Sequence, residues 1–292
     1  MKRSEPVEAF RGWGLLGLST LAISLTLPGQ TIGVSPFADH LIQDLSISAT
    51  SLSTAYLVGT ITGSLAMPSI GRWVDRAGVR KTMLLIATAF SVAIAYMGTV
   101  RHFWMLIVGF IGIRMLGQGA LSLVGQTSIA LWFDEKRGFA FGLSMTASAG
   151  LMSLGPLGLT FLIDKFGWRW AWVFSACCVA ILLVPATWRW MVDRPESLGQ
   201  QPDGRSPSPD YVKVSAEQFT VGEAIHTRAF WVLTGVMVVS SALITGVTFH
   251  HFALMESAGL TTAQAATVFI PQMLGTIAAL SLIHISEPTR PY

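Results

Sequence analysis

The sequence predicts an all-α integral membrane protein, and three features carry that prediction. Apolar runs of roughly twenty residues, the length that crosses a bilayer core, recur along the 292 residues. Hydrophobic residues make up 52% and charged residues 12%, about half the charge of a soluble domain, and mean hydropathy is +0.57. The cations sit in short stretches between the runs, where they orient a chain in a bilayer. The net charge of +3 therefore does not indicate nucleic acid, since no soluble face collects it.

The first span, Gly12 to Phe37, contains Pro28-Gly29-Gln30-Thr31 near its far end. A proline-glycine pair there is expected to break the helix and free a backbone carbonyl at membrane depth. Such a break survives where it lines a cavity; a kink that serves packing alone is the other reading. Thr26 and Gln30, four apart, share a face with Ser19. Residues 38–51 carry Asp39, His40 and Asp44 without Lys or Arg, as an outer loop would. The second span, Leu52 to Ile70, has Gly59 and Gly63 four apart, which predicts close approach by a neighbouring helix.

Gly71 to Lys81, GRWVDRAGVRK, reads as a loop with Arg72, Arg76, Arg80, Lys81 and one acid, Asp75. Gly71 and Gly78 are expected to let its backbone turn, and its charge places it on the cytoplasmic side. The third span, Met83 to Val100, leads to an outer turn at Arg101 and His102. Within the fourth, Phe103 to Phe133, Arg114 is a charge well inside the membrane, and such residues face a protein interior or an aqueous path. Arg114, Gln118, Ser122 and Gln126 recur every four residues, near one helix face. An arginine that binds helix-end carbonyls would be the structural alternative.

Lys136 and Arg137 open the fifth span, which carries Gly150, Gly155, Pro156 and Gly158. The sixth, Trp170 to Trp190, has indoles at both ends, as a spanning helix places them at headgroup depth. Cys177 and Cys178 lie inside this apolar run and read as small hydrophobes. Met191 to Arg228 shifts to Pro, Ser, Gly, Asp and Glu and reads as a linker. Ala229 to Leu254 is a seventh span, with Ser241, Thr245 and Thr248 on one face. His250-His251 stands at its end; neutral imidazoles can carry protons, though an interfacial pair is more often merely hydrated. Ala265 opens an eighth span with Pro271 inside it.

Asp164-Lys165-Phe166-Gly167-Trp168-Arg169 echoes the D-R-x-G-x-R order of Asp75 to Arg80. If spans one to three and four to six are one unit duplicated with inverted topology, the two turns lie on opposite faces. The charges agree: 14 Lys and Arg fall on the face of Gly71 to Lys81 and 3 on the other, with buried Arg114 and terminal Arg290 completing the 19. Both ends of the six-span block are then cytoplasmic. Met1 to Phe10 is polar and the run after it is too long for a signal-peptide core, so no cleavage is expected.

Gly71 to Lys81 resembles the loop between the second and third helices of the major facilitator superfamily, and Arg114-Met115-Leu116-Gly117-Gln118-Gly119 resembles that family's fourth-helix pattern. Trp132 to Gly150, with Arg194-Pro195-Glu196-Ser197-Leu198-Gly199 and Pro202-Asp203-Gly204, is similar to the monocarboxylate porters and oxalate-formate exchangers of that superfamily. The resemblance implies the major facilitator fold: a six-helix N-terminal bundle of 3+3 inverted repeats at 12–190, a cytoplasmic linker at 191–228, and the start of a C-terminal bundle at 229–279, after a cytoplasmic N-terminus at 1–11. It implies a multi-pass transporter of the inner or plasma membrane that carries a small organic anion by alternating access, coupled to protons or to exchange. Arg114, Gln118, Gln126, Thr26 and Gln30 would serve substrate or coupling, and Gly71, Asp75, Arg76, Gly78 and Arg80 a cytoplasmic gate. A receptor or scaffold that kept the fold without transport is the rival reading. No catalytic or metal-ligand cluster and no cofactor is expected. Leu280 to Arg290 resembles, residue for residue, the translation of a sequencing-library adapter, so residues 280–292 are expected to be non-native and about a third of a twelve-helix chain to be missing.

Overall fold

A computed structural model describes residues 10–204, 221–275 and 278. The adapter-like tail, the basic residues Lys2, Arg3, Arg205 and Lys213, and most of the second half of the linker lie outside the described residues. Among those described, all regular elements are helical. Six stretches are long and apolar enough to cross a membrane: Gly12–Gly29, Val79–Met97, Phe103–Trp132, Arg137–Phe166, Trp168–Trp190 and Arg228–Phe249.

Helix α1 (Gly12–Ser24) ends just short of Pro28 and Gly29, which form a tight turn before a short helix α2 (Thr31–Val34). The Pro-Gly break expected from sequence is therefore present, and it divides the first apolar run. A second turn at Ser35–Phe37 leads into α3 (Ala38–Leu45). Helix α4 (Ala49–Ala77) is 29 residues long, about 44 Å at 1.5 Å per residue, and its many Ser and Thr residues make it more polar than the six stretches above. Helices α5 (Val79–Met97), α6 (Phe103–Trp132), α7 (Arg137–Phe166) and α8 (Trp168–Trp190) complete a first bundle.

The expected loop from Gly71 to Lys81 is a correction. Gly71 lies inside α4, and one residue, Gly78 at φ +83°, separates α4 from α5. The helix continues because solvated Arg and Asp side chains do not disfavour it; the turn falls where only glycine tolerates the backbone.

Packing, rather than transfer out of water, holds helices together in lipid, because lipid tails are as apolar as leucine. Phe37 stacks on Trp172 with ring centroids 4.2 Å apart, and Phe90, Phe110 and Trp132 are fully buried in the same core. A Cβ on Gly59 would lie 2.8 Å from the Phe110 backbone and one on Gly63 3.1 Å from Met115 Cα. The expected close approach on α4 is thus made to α6.

Residues 191–204 are not a free connector. Arg80 N–H donates to Asp193 Oδ1 at 2.7 Å, and the Asp203 carboxylate accepts from the backbone N–H groups of Asp134, Glu135 and Lys136 at 3.2, 2.8 and 3.3 Å. The linker's first part therefore straps the bundle's basic end, with Phe10 wedged between Gly204 and the Trp132–Phe133 pair.

Helix α9 (Arg228–Phe249) is bare along most of its length; Trp231, Leu233, Met237 and Leu243 are all exposed, whereas Phe249 is buried. It is followed by α10 (His251–Ser257) and α11 (Thr262–Thr267). Thr261 and Gln264 form a reciprocal capping box at the start of α11. Phe252, Ala265, Ala266 and Phe269 form a second small core against Ile32 and Leu157. The expected seventh span therefore ends at Phe249, five residues before Leu254.

Candidate functional site

Helix α4 carries Tyr56, Thr60 and Ser64 four residues apart, so the three line one face. Opposite them α6 widens into a π-helical stretch at Arg114–Leu121, a feature that concentrates at functional sites. Arg114 is 5% exposed. Its Nε donates to Thr60 Oγ1 at 3.0 Å, its Nη1 donates to Gly29 O at 3.0 Å, and its Cζ lies 4.5 Å from the centre of the Tyr56 ring. The carbonyl freed by the Pro28-Gly29 break is thus the one that Arg114 holds. A Cβ on Gly29 would fall 2.4 Å from Ile113 O, so a larger residue there would push the break off α6 and out of the arginine's reach.

A guanidinium has five N–H donors, and these two bonds leave donors for a ligand. A cavity of about 180 Å³ opens beside it, lined by Thr60, Gly63, Ser64, Met67, Arg114, Gln118 and Gly119. That is smaller than the ~300–1,000 Å³ of drug-sized sites, so it suits a ligand of few heavy atoms. Arg114 and Gln118, singled out in the sequence, meet in this cavity. Gln118 is exposed, and its side chain makes no hydrogen bond among the described residues.

The remaining polar residues divide. Thr26 is buried and donates to Ile23 O at 2.6 Å, and Gln30 Nε2 donates to Thr26 Oγ1 at 3.0 Å. The two satisfy each other at the break and do not line the cavity. Gln126 lies further along α6 and is also outside it. The wide turn explains part of this: the simple four-residue face assumes a regular α-helix, and residues 114–121 are not one. Thr60, Ser64 and the Gly29 carbonyl were missed, as was Tyr56, which packs on Arg114 from outside the cavity; the four-residue spacing on α4 is legible in the sequence.

At the basic end, Asp75 and Arg76 are exposed and make no hydrogen bond or ion pair among the described residues. Arg80 is engaged: its Nη2 donates to Trp188 O at 2.6 Å. Asp193, absent from the expected set, closes this corner.

At the opposite end α9 meets the bundle through Phe249. Ser35 Oγ donates to Phe249 O at 3.2 Å, and the Tyr56 and Phe249 rings are 4.6 Å apart. Asp39 and His250 border a cavity of about 60 Å³ there. Burial holds the Asp39 carboxyl above the usual carboxylate range, Glu256 adds to the rise, and His40 opposes it. The histidine pair splits: His250 is exposed, whereas His251 is 6% exposed, lies 4.3 Å from the Phe269 ring centre and sits with Nε2 2.9 Å from Ala265 O. A carbonyl only accepts, so that nitrogen carries the hydrogen. His251 is a packed structural residue, not a hydrated one. Among the described residues no three His, Cys, Asp or Glu side chains converge to hold a metal.

A profile of the Major Facilitator Superfamily matches residues 15–291. The chain is 31% identical over 157 residues to an uncharacterised MFS-type transporter, YcxA, of Bacillus subtilis, covering 51% of this chain and 36% of the relative. It is 28% identical over 154 residues to the multidrug resistance protein MdtG of Dickeya zeae, covering 51% and 37%. It is 21% identical over 222 residues to the oxalate:formate antiporter of Oxalobacter formigenes, covering 76% and 50%. The chain therefore spans half or less of the length of these relatives. Its fold matches the crystal structure of a bacterial homolog of the human lysosomal transporter Spinster, in an inward-facing and unoccupied conformation, with TM-score 0.68, 18% identity, and coverage of 94% of this chain and 61% of that one. The protein is a multi-pass membrane protein with the major facilitator fold, and it belongs to the Major Facilitator Superfamily.

Proposed function

We propose that this protein is a secondary transporter of a small organic anion, a carboxylate of the size of oxalate or formate, that works by alternating access. The observation that carries the reading is the Arg114 cavity: a buried cation with donors to spare beside Thr60, Ser64 and Gln118, in a space that admits only a small ligand. A guanidinium fork matches a carboxylate in two parallel hydrogen bonds, and a charge at this depth marks a substrate or coupling path. The resemblance to an oxalate:formate antiporter is consistent with that chemistry. Arg114 and Gln118 would hold the anion; Thr26 and Gln30 would support the break that supplies Gly29, and Gln126 would lie along the path.

The charge distribution supports a cytoplasmic N-terminus and an inner or plasma membrane location. In that orientation Gly78, Asp75, Arg76 and Arg80 belong to the cytoplasmic gate, with Gly71 acting as a helical residue beside it, and the Phe249 contact is the outer closure. Residues 12–190 form the N-terminal bundle, 191–228 the connection and 229–279 the start of a second bundle.

The test is flux of radiolabelled oxalate and formate into liposomes that contain the full-length protein. Saturable uptake that is lost in Arg114→Gln at equal incorporation supports the proposal. Uptake stimulated by internal anion identifies exchange, and uptake driven by an inward proton gradient identifies symport. Absence of carboxylate flux in a correctly folded parent protein would instead favour a receptor or scaffold.

A further inference from the structure

Arg114, which lines the cavity, and Phe249, which makes the outer closure, share one neighbour, Tyr56. Its ring face carries the Arg114 guanidinium at 4.5 Å. The same ring lies 4.6 Å from Phe249, the buried residue with which α9 meets the bundle. Its hydroxyl is 2.7 Å from Thr31 Oγ1, on the outer side of the Pro28-Gly29 break, and Phe110 meets it edge-on at 5.5 Å. Tyr56 itself does not line the cavity.

We infer that Tyr56 is a positioning residue that couples occupancy of the Arg114 cavity to opening at Phe249. The inference rests on the anion reading proposed above. A carboxylate is a stronger partner for a guanidinium than a ring face is. When an anion enters, Arg114 turns toward it and Gln118 and leaves the Tyr56 ring. The ring, fixed until then between the cation, Thr31 and Phe110, loses its hold and the Phe249 contact loosens. Linkage makes the effect reciprocal: if the anion favours opening, then weakening the closure strengthens anion binding, by at most the factor by which the anion favours the open state.

The test uses the full-length protein with Cys177 and Cys178 replaced by serine and a reporter cysteine at Ala38, which borders the small cavity beside Phe249. Labelling of Ala38→Cys by a membrane-impermeant maleimide is followed with and without oxalate, alongside equilibrium oxalate binding. Oxalate should speed labelling about fivefold or more. Tyr56→Leu, which removes the ring contact with Phe249, should label rapidly without oxalate, bind oxalate at least as tightly as the parent and show no further change when oxalate is added, and Tyr56→Phe, which keeps the ring, should restore the response. Phe249→Leu should label rapidly without oxalate and bind oxalate more tightly than the parent, and this arm stands if Tyr56→Leu does not fold. The inference is overturned if Tyr56→Leu still shows the full oxalate-dependent change, or if it loses binding as completely as Arg114→Gln. Oxalate binding unaffected by Arg114→Gln would refute the anion reading itself, and the coupling with it.

Discussion

Gly78 and Gly167 occupy the same place in two copies of one turn, with backbones at φ +83°, ψ 162° and φ +82°, ψ 157°. In each, an Asp stands three residues before the glycine and an Arg two residues after it. Each arginine reaches across to a carbonyl at the end of the other repeat: Arg80 to Trp188 O at 2.6 Å, and Arg169 to Val100 O at 3.2 Å. The surroundings differ. A Cβ on Gly78 would lie 2.6 Å from Asp193 Oδ1, whereas nothing lies within 4 Å of one on Gly167. Asp193 caps the α5 amide of Arg80, while at the other face Asp44 pairs with the Arg169 side chain across partly exposed surface. The repeated string thus specifies the turn and the reach of its arginine; acids outside the string decide how tightly each turn is held.

The largest test of this difference is glycine replacement. Gly78→Ala adds the strain of a left-handed backbone, about 1–3 kcal/mol, to the displacement of Asp193 from the Arg80 amide, about 1 kcal/mol, for a total of about 2–4 kcal/mol. Gly167→Ala should cost the backbone part alone, about 1–3 kcal/mol. Thermal unfolding of the purified protein compares the two, and a second substitution, Asp193→Ala, should bring the cost of Gly78→Ala down to that of Gly167→Ala. Equal costs in the parent background would mean that Asp193 does not crowd the Gly78 turn.

Asp193→Ala by itself should cost about 1 kcal/mol, the usual value of a lost helix N-terminal cap. Asp44→Asn should cost less than about 0.5 kcal/mol, because partly exposed ion pairs contribute little, and should matter less still at high salt. The same melting experiments read both.

The face that carries Asp39, opposite the Gly78 turn, should also respond to pH. Its carboxyl holds its proton more tightly in the folded state than in the unfolded one, because burial and Glu256 disfavour the charge. Its stabilising contribution is therefore complete below the ordinary Asp range near ~3.9 and is lost as pH rises through the raised folded value. Asp39→Asn should flatten this pH dependence of stability, and an unchanged profile would remove Asp39 from the account.

The membrane class, most helix positions and the inverted echo were legible because they depend on local properties: apolar length, interfacial tryptophans and one glycine in each turn. The extent of α4 was not, since the charges at Arg72 to Arg76 read as the end of an apolar run and the helix simply continues past them. Arg114 and Gln118 were legible as polar residues in an apolar span. Their partners were harder to find: Gly29 contributes a carbonyl, which every residue has, and its role exists only because α1 breaks where α6 passes. Thr60 and Ser64 have the spacing of ordinary helix-packing hydroxyls, and only the fold brings Thr60 to Arg114 and Ser64 to the same cavity. Asp193 and Asp203 lay in a stretch that read as a linker, because local composition does not reveal amides waiting at the ends of distant helices.

The most direct test of the central claim is equilibrium binding of radiolabelled oxalate to the purified full-length protein and to its Arg114→Gln variant, with unfolding temperature measured on both. Loss of a charge-assisted, two-pronged contact should weaken binding by about 10–100-fold and leave Gln126→Ala close to the parent. Equal affinity in parent and Arg114→Gln would contradict an anion site at Arg114 and leave this arginine as a clamp on the broken first helix.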